Sequence, residues 1–301
     1  MFRGSLNSHC VLVLAVGALA VLMPTGVAGQ ELGSLYVEAL DGAGQPVSGL
    51  TPADFIVSVD GDPVTVVSAV TGDTPMRIAM LVDNGERIND LNATVPLRRG
   101  LNAFLDTLPP QHEIGLFSIA RSPQRLVDFT TDRDELEEGV GLIFPDSGAG
   151  SVLLDGIKET WERRFEDEEA FPVFMLVLTD NALMGSNYSD DEYADLLNTL
   201  VFSGVTIHTV MLTTRGGSQV TSFANNLTQN TGGIYENIAT ATGLANTLTS
   251  VATRMGEHFD QVSNRYKVTY EIPDPPGAQI GFQMNRPGVS VRLFPDRRMA
   301  Q

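Results

Sequence analysis

Between Met76 and about residue 262 the chain repeats one pattern, a short apolar run followed by a longer stretch with apolar residues at helical spacing. Continuous apolar runs such as Arg77 to Val82 (RIAMLV) and Pro172 to Thr179 (PVFMLVLT) suit strands buried on both faces, because a strand with one wet face alternates instead. Between them Leu91, Val95, Leu97, Leu101, Phe104, Leu105 and Leu108 recur near a helical period and predict a helix over 91–108. Further helices are expected over 132–142, 152–165, 190–202, 219–229 and 244–262, with further strands over 113–120, 124–129, 205–212 and 234–236. Strands that alternate with helices build a mostly parallel sheet with helices on both faces. Only Arg121-Ser122-Pro123 separates 113–120 from 124–129, which is too short for a parallel crossover. Those two runs therefore pair antiparallel and put one antiparallel strand at an edge.

The flanks obey different rules. Leu35-Tyr36-Val37-Glu38-Ala39-Leu40 and Phe55-Ile56-Val57-Ser58-Val59 alternate, with turns at Asp41-Gly42 and Asp60-Gly61-Asp62-Pro63. After Asn264 the same pattern returns over 265–272, 279–284 and 289–293. Neither β segment buries a core alone, so 30–75 and 263–301 are expected to pair. The predicted class is α/β, with a Rossmann-like domain at 76–262 inserted between the two halves of a small β-sandwich.

Residues 1–29 read as a secretory signal peptide: Arg3, an uncharged apolar run from Val11 to Met23, then Gly26-Val27-Ala28-Gly29. The run is shorter than the ~20 residues a spanning helix needs, so no stable membrane span is expected once the leader is cut. The expected location is periplasmic or secreted. The one cysteine, Cys10, lies in that leader, which leaves the mature chain to be stabilised by packing alone. With 37 acidic against 19 basic residues the net charge is −18, a surface that repels phosphate backbones and argues against nucleic acid.

In open α/β sheets ligands bind beyond the carboxyl ends of the strands, where strand order reverses. Asp83 follows the strand ending at Val82, and Asp180 follows the strand ending at Thr179. The loop Gly148-Ala149-Gly150-Ser151 precedes the helix expected at 152 and faces the same crevice. Both acids also suit plain capping roles.

A buried strand ending in Asp, a Gly-rich loop before Leu153-Leu154-Asp155, and a strand ending Leu178-Thr179-Asp180 together resemble the von Willebrand factor A family over about 76–262. The flanking Gly44-Gln45-Pro46-Val47, Gly49-Leu50, Asp54-Phe55 and Arg286-Pro287-Gly288-Val289 resemble those of its exported, acidobacterial-type subgroup. The resemblance implies a metal-ion-dependent adhesion site, built from an Asp-x-Ser-x-Ser loop with a Thr and a second Asp from other loops. Here Asp83 and Asp180 match the acids and Ser151 stands for the Thr, but the loop reads Asp83-Asn84-Gly85-Glu86-Arg87. Gly85 supplies no side-chain ligand and Arg87 supplies only donors.

Two readings of this degenerate site stand. In the first, Arg87 reaches back to Asp83 or Asp180 and occupies the metal's place, so no cofactor is expected. In the second, Arg87 faces solvent and a weak Mg²⁺ site survives on Asp83, Ser151, Asp180 and waters. The loop 181–189, with Tyr188, is a further candidate for partner contact.

Enzyme signatures are lacking. His112, His208 and His258 show no metal-ligand spacing, and there is no Gly-x-Ser-x-Gly elbow, Walker loop or Gly-x-Gly-x-x-Gly after the first strand. His208 alternates with apolar neighbours as a core histidine would. The expected function is an exported, non-enzymatic, adhesion-like module that binds a protein partner through Asp83, Gly85, Arg87, Ser151, Asp180 and Tyr188. The alternatives are a secreted hydrolase whose site forms only in three dimensions, and a structural envelope component.

Overall fold

The computed structural model describes residues 12–14, 32–165, 170–180, 185–213, 218–294 and 297. Its strands are β1 (Leu12–Leu14), β2 (Leu32–Leu40), β3 (Phe55–Val59), β4 (Asp62–Val64), β5 (Val66–Thr71), β6 (Met76–Val82), β7 (Glu113–Ser118), β8 (Gln124–Thr130), β9 (Phe171–Thr179), β10 (Thr206–Leu212), β11 (Tyr235–Ile238), β12 (Tyr266–Glu271), β13 (Ile280–Met284) and β14 (Ser290–Phe294). The helices are α1 (Glu86–Asp90), α2 (Thr94–Thr107), α3 (Arg133–Gly141), α4 (Leu153–Arg164), α5 (Asp190–Phe202), α6 (Gln219–Asn230) and α7 (Leu244–Val262). The chain divides into one unit of Met1–Asp73 with Val262–Arg297 and another of Thr74–Gln261 with Arg298–Gln301. The leader read at 1–29 lies outside the described residues except for β1, whose backbone pairs antiparallel with Ile280–Phe282.

In the second unit a six-stranded sheet runs β11-β10-β9-β6-β7-β8. Every neighbouring pair is parallel except β7 with β8, the antiparallel edge expected from the short Arg121-Ser122-Pro123 link. The mostly parallel α/β architecture is the one the sequence pattern calls for. Successive side chains of β6 alternate faces: Ala79 and Leu81 join a core with α4, α5 and α6, through Leu153, Ile157, Leu196, Leu200, Val220 and Leu227. Against the opposite face, a side-chain carbon at Gly139 of α3 would fall 2.2 Å from Val127 of β8, so only glycine allows that helix to come so near. A carbon at Gly233, before β11, would fall 1.9 Å from the Ile207 carbonyl oxygen, which explains the Thr231-Gly232-Gly233 punctuation.

The helix expected over 91–108 is α2 (Thr94–Thr107), and a separate one-turn helix, α1, precedes it. Asn92 adopts a left-handed φ of 49° between them, a conformation asparagine tolerates better than most residues. The Ala93 amide meanwhile bonds back to the Ile88 carbonyl. The first helix therefore starts at Glu86 and carries Arg87, which the sequence had suggested for a loop.

The first unit holds two antiparallel sheets, β14-β2-β12-β5 and β1-β13-β3-β4. Val37, Val57, Val268 and Phe282 from both sheets share one core. Tyr266 is buried there, and its hydroxyl accepts from the Leu50 amide (3.2 Å) and donates to the Val47 carbonyl (3.1 Å). Asp62-Pro63, expected within a turn, instead begins β4: Asp60 and Gly61, both at positive φ, suffice to turn the chain.

Two histidines are locked into the α/β unit as neutral rings. His112 Nδ1 accepts from the Met76 amide (3.1 Å) and its ring lies edge-on to Phe259 at 4.6 Å. His208 Nδ1 accepts from the Ile234 amide (3.1 Å). Burial pushes His112 down to about 4 and His208 down to about 3. The unfolded chain protonates these rings first, so their contribution to stability is complete above pH ~6.5 and drains away as pH falls towards the folded values. Urea unfolding between pH 7.5 and 5 is expected to lose about 1.4 kcal/mol per pH unit for each histidine in the lower half of that range. His208→Gln should remove one proton from that slope, and an unchanged slope would refute the assignment.

Candidate functional site

The strand order fixes where a site forms. Connections leaving β6 lead to β7 and β8 on one side, and those leaving β9 lead to β10 and β11 on the other. The reversal therefore falls between β6 and β9, and both strands end there in an acid. Parallel register sets Val82 beside Val177, so Asp83 comes level with the last residues of β9. Its own amide bonds to the Val177 carbonyl at 2.9 Å, while the Asp180 amide continues the sheet to the Leu212 carbonyl at 3.1 Å.

Asp83 is fully buried. Its Oδ2 accepts from the Thr179 hydroxyl at 2.7 Å and from the Thr179 amide at 3.4 Å, and its Oδ1 accepts from the Gly85 amide at 2.9 Å. Burial pushes its carboxyl pKa up, and the bonds from Thr179 and Gly85 pull against that. Gly85 thus contributes a backbone donor where the adhesion loop would have a serine ligand. Thr179 is a site residue outside the set expected from the sequence. The signal available was a lone hydroxyl at the end of an otherwise apolar run, directly before an acid.

Asp180 has a side chain only 1% exposed, and Arg87 Nε lies 3.4 Å from its Oδ1. The same guanidinium reaches Asp90 Oδ2 at 3.7 Å, one turn along α1. Starting the helix at Glu86 is what aims Arg87 at the crevice. Of the two partners open to Arg87 in the sequence, the structure brings it to Asp180.

Ser151 is also completely buried, and its Oγ has no protein hydrogen-bond partner, so it bonds neither acid. Its carbonyl accepts from the Gly185 amide at 2.7 Å, and Ser186 Oγ accepts from the Asp155 amide at 3.3 Å near the start of α4. The segment after β9 is tied down at this point. Tyr188, a candidate for partner contact, is half-buried against the α4–α6 core. Its hydroxyl pKa is pushed up to about 12, by burial first and then by the charge and hydrogen bond of Asp155. Residues 181–184 of the candidate contact loop lie outside the described residues.

No family model and no curated protein matches the sequence. Among solved structures the chain is similar to a von Willebrand factor type A protein from Catenulispora acidiphila, with 9% identity and a TM-score of 0.53, over 89% of this chain and 74% of that one. The chain has the von Willebrand factor A fold. Similarity also extends to BatB from Bacteroides thetaiotaomicron (11% identity, TM-score 0.48, 60% of this chain and 99% of that one). It extends further to proximal thread matrix protein 1 from the mussel byssus (15%, TM-score 0.49, 67% and 50%).

The A fold directs attention to a magnesium ion at this crevice, and the feature that opposes one is the guanidinium of Arg87 beside Asp180. Both oxygens of Asp83 already accept protein hydrogen bonds, and Asp180 already faces a guanidinium. A divalent ion here would sit against a fixed positive charge with one hydroxyl, Ser151, in place of the usual hard-oxygen set.

Two substitutions separate the roles of these residues. Thr179→Val leaves Asp83 buried with fewer donors and is expected to cost about 1–3 kcal/mol in urea unfolding. Arg87→Leu takes a cation away from the buried Asp180 carboxylate and should cost a similar amount, much of it recovered in the double variant Arg87→Leu/Asp180→Asn. Strict additivity of the two changes would rule out the pairing.

Proposed function

We propose that this chain is an exported, non-enzymatic protein-interaction module that holds a protein partner at the carboxyl end of its α/β sheet without a metal ion. The observation that carries the reading is the ion pair between Arg87 and Asp180 at the reversal of strand order. In an A fold this crevice attracts a partner by leaving part of a cation's coordination open. Here the acid is neutralised from within the chain, and what remains for a partner is the outer side of the guanidinium and the surrounding loops. The leader pattern at 1–29 supports export, to the periplasm or beyond. Among the described residues no helix is long and apolar enough to cross a membrane.

The non-enzymatic reading is supported by the use to which the ionisable groups are put. His112 and His208 give their Nδ1 atoms to backbone amides inside the core, Asp83 is consumed by Thr179 and Gly85, and Asp180 by Arg87. A general base needs a reachable proton and a matched pKa. Two imidazoles held neutral and enclosed offer neither.

Thermal melting tests the metal-free reading, since anything that binds the native state must raise stability. Millimolar Mg²⁺ added after chelation should leave the Tm of the wild type unchanged, whereas Gly85→Ser/Arg87→Ser, which restores two hydroxyl ligands, should acquire a Mg²⁺-dependent rise. A rise in the wild type would sink metal independence. For the interaction itself, capture from the envelope fraction of expressing cells should recover a partner with the wild type and lose it with Arg87→Leu/Asp180→Asn. Retention of every partner by that folded double variant would remove the crevice from the interface.

A further inference from the structure

The outer strand of a sheet presents a row of unpaired backbone groups, and proteins blunt such edges with charge, proline or bulges. Most outer strands among the described residues are blunted in this way. β4 carries Asp62 and Pro63, β14 carries Arg292, β8 carries Arg125 and Asp128, and β11 carries Glu236. β5 is interrupted by a bulge, because Val67 has no place in its register with β12. β13 differs. Its residues, Ile280-Gly281-Phe282-Gln283-Met284, hold no charge and no proline, and their register with β3 is unbroken. It is also the strand on which β1 is seated, with Leu12 opposite Phe282, Val13 opposite Gly281 and Leu14 opposite Ile280.

Hydrogen bonding shows which groups this edge offers. The Asp60 amide donates to the Gln279 carbonyl and the Asn285 amide to the Asp54 carbonyl, both in step with the β13–β3 register. Backbone groups of an antiparallel strand alternate sides, so Gly281 and Gln283 also face β3. Ile280, Phe282 and Met284 therefore direct their N–H and C=O to the outer side, and the first two are the residues opposite Leu14 and Leu12. Their side chains belong to the sandwich core, which fixes the edge in place. The seated strand lies in Val11 to Ala15 (VLVLA), an uncharged apolar stretch of the leader read at 1–29. Loss of that leader leaves β13 as the outermost strand of its sheet. We infer that the outer edge of β13 receives an extended, uncharged apolar segment of a partner protein, paired antiparallel along Ile280–Phe282 in the place that β1 takes in the full chain. This rests on the export reading, through removal of the leader, and gives the first unit an interaction site of its own. Main-chain bonds supply the affinity of such strand addition, and the apolar positions opposite core residues supply its selectivity.

The test compares the processed chain, recovered from the periplasm of expressing cells, with the leader-bearing full chain made in the cytoplasm. The probe is a fluorescent peptide carrying Val-Leu-Val-Leu-Ala between pairs of lysines, and anisotropy reads its binding. The processed chain should bind about tenfold or more tightly than the full chain, whose own segment holds the edge. Methyl groups on the two leucine amides of the peptide should weaken binding by about tenfold or more. One on the central valine amide, which by the same alternation points away from β13, should change little. Ile280→Pro removes a donor aimed at the outer side and no bond to β3, so it should keep the circular dichroism of the wild type and lose the peptide. Should that variant fail to fold, the methylated peptides decide alone. No binding to the processed chain, equal binding by every peptide form, or equal binding by the processed and full chains would overturn the inference. A dimer of the processed chain that Ile280→Pro dissolves would give the edge to a second copy and overturn it too. A recovered chain that still carries residues 1–29 removes the export reading along with this one, whereas a processed chain that ignores the peptide removes this one alone. Arg87→Leu/Asp180→Asn should keep the peptide, so loss of envelope capture with that pair bears on the crevice and not on β13.

Discussion

The site depends on a single juxtaposition, two carboxylates brought to adjoining strand ends by the parallel register of β6 and β9. Neither acid is free to move away, because each follows directly on a strand fixed by hydrogen bonds on both sides. Burying an unpaired carboxylate costs several kcal/mol, so the surrounding loops must supply donors. Thr179 and Gly85 do so for Asp83, and Arg87 does so for Asp180. Arg87 reaches Asp180 from α1, which starts at Glu86 directly after the loop that follows β6.

A guanidinium at the strand ends bears on what such a crevice can do. At 3.4 Å and an effective dielectric of about 20, the gross attraction between unit charges is about 5 kcal/mol, much of it offset by desolvation of both groups. The net gain is modest, but the charge is permanent. A bound metal comes and goes with its concentration and leaves coordination positions for a ligand's carboxylate. Arg87 belongs to the chain itself, and its donors are already shared between Asp180 and Asp90. On the proposed reading, recognition at such a face depends on shape and on neighbouring side chains.

The sequence disclosed the parts governed by periodicity. Continuous apolar runs identified β6 and β9, the three-residue link at 121–123 required the antiparallel edge, and acids directly after apolar runs located the strand-end carboxylates. Properties that depend on direction stayed hidden. Nothing in the pattern around Arg87 says whether it stands on a helix or in a loop, since Glu86–Asp90 is a single turn with one buried side chain, Ile88. Thr179 is legible as an anomaly in an apolar strand but not as the donor to a residue 96 positions away. Tyr188 has a second role that its place beside a loop does not disclose: its ring joins a core and its hydroxyl meets a carboxylate, Asp155.

Asn84 shows how the buried junction is carried to the surface. Its side-chain oxygen accepts from the Ala120 amide (3.2 Å), its side-chain nitrogen donates to the Phe144 carbonyl, and its own carbonyl accepts from the Asp146 amide. One residue thereby ties the end of β6 to the segment after β7 and to the loop after α3. Three loops from different parts of the chain become one rigid surface, at a spot where loops alone would be the most mobile part of the fold. Stability in these loops is therefore not separable from the burial of Asp83. The donors that keep a carboxylate in the core belong to the same short loop that holds Phe144 in place outside it.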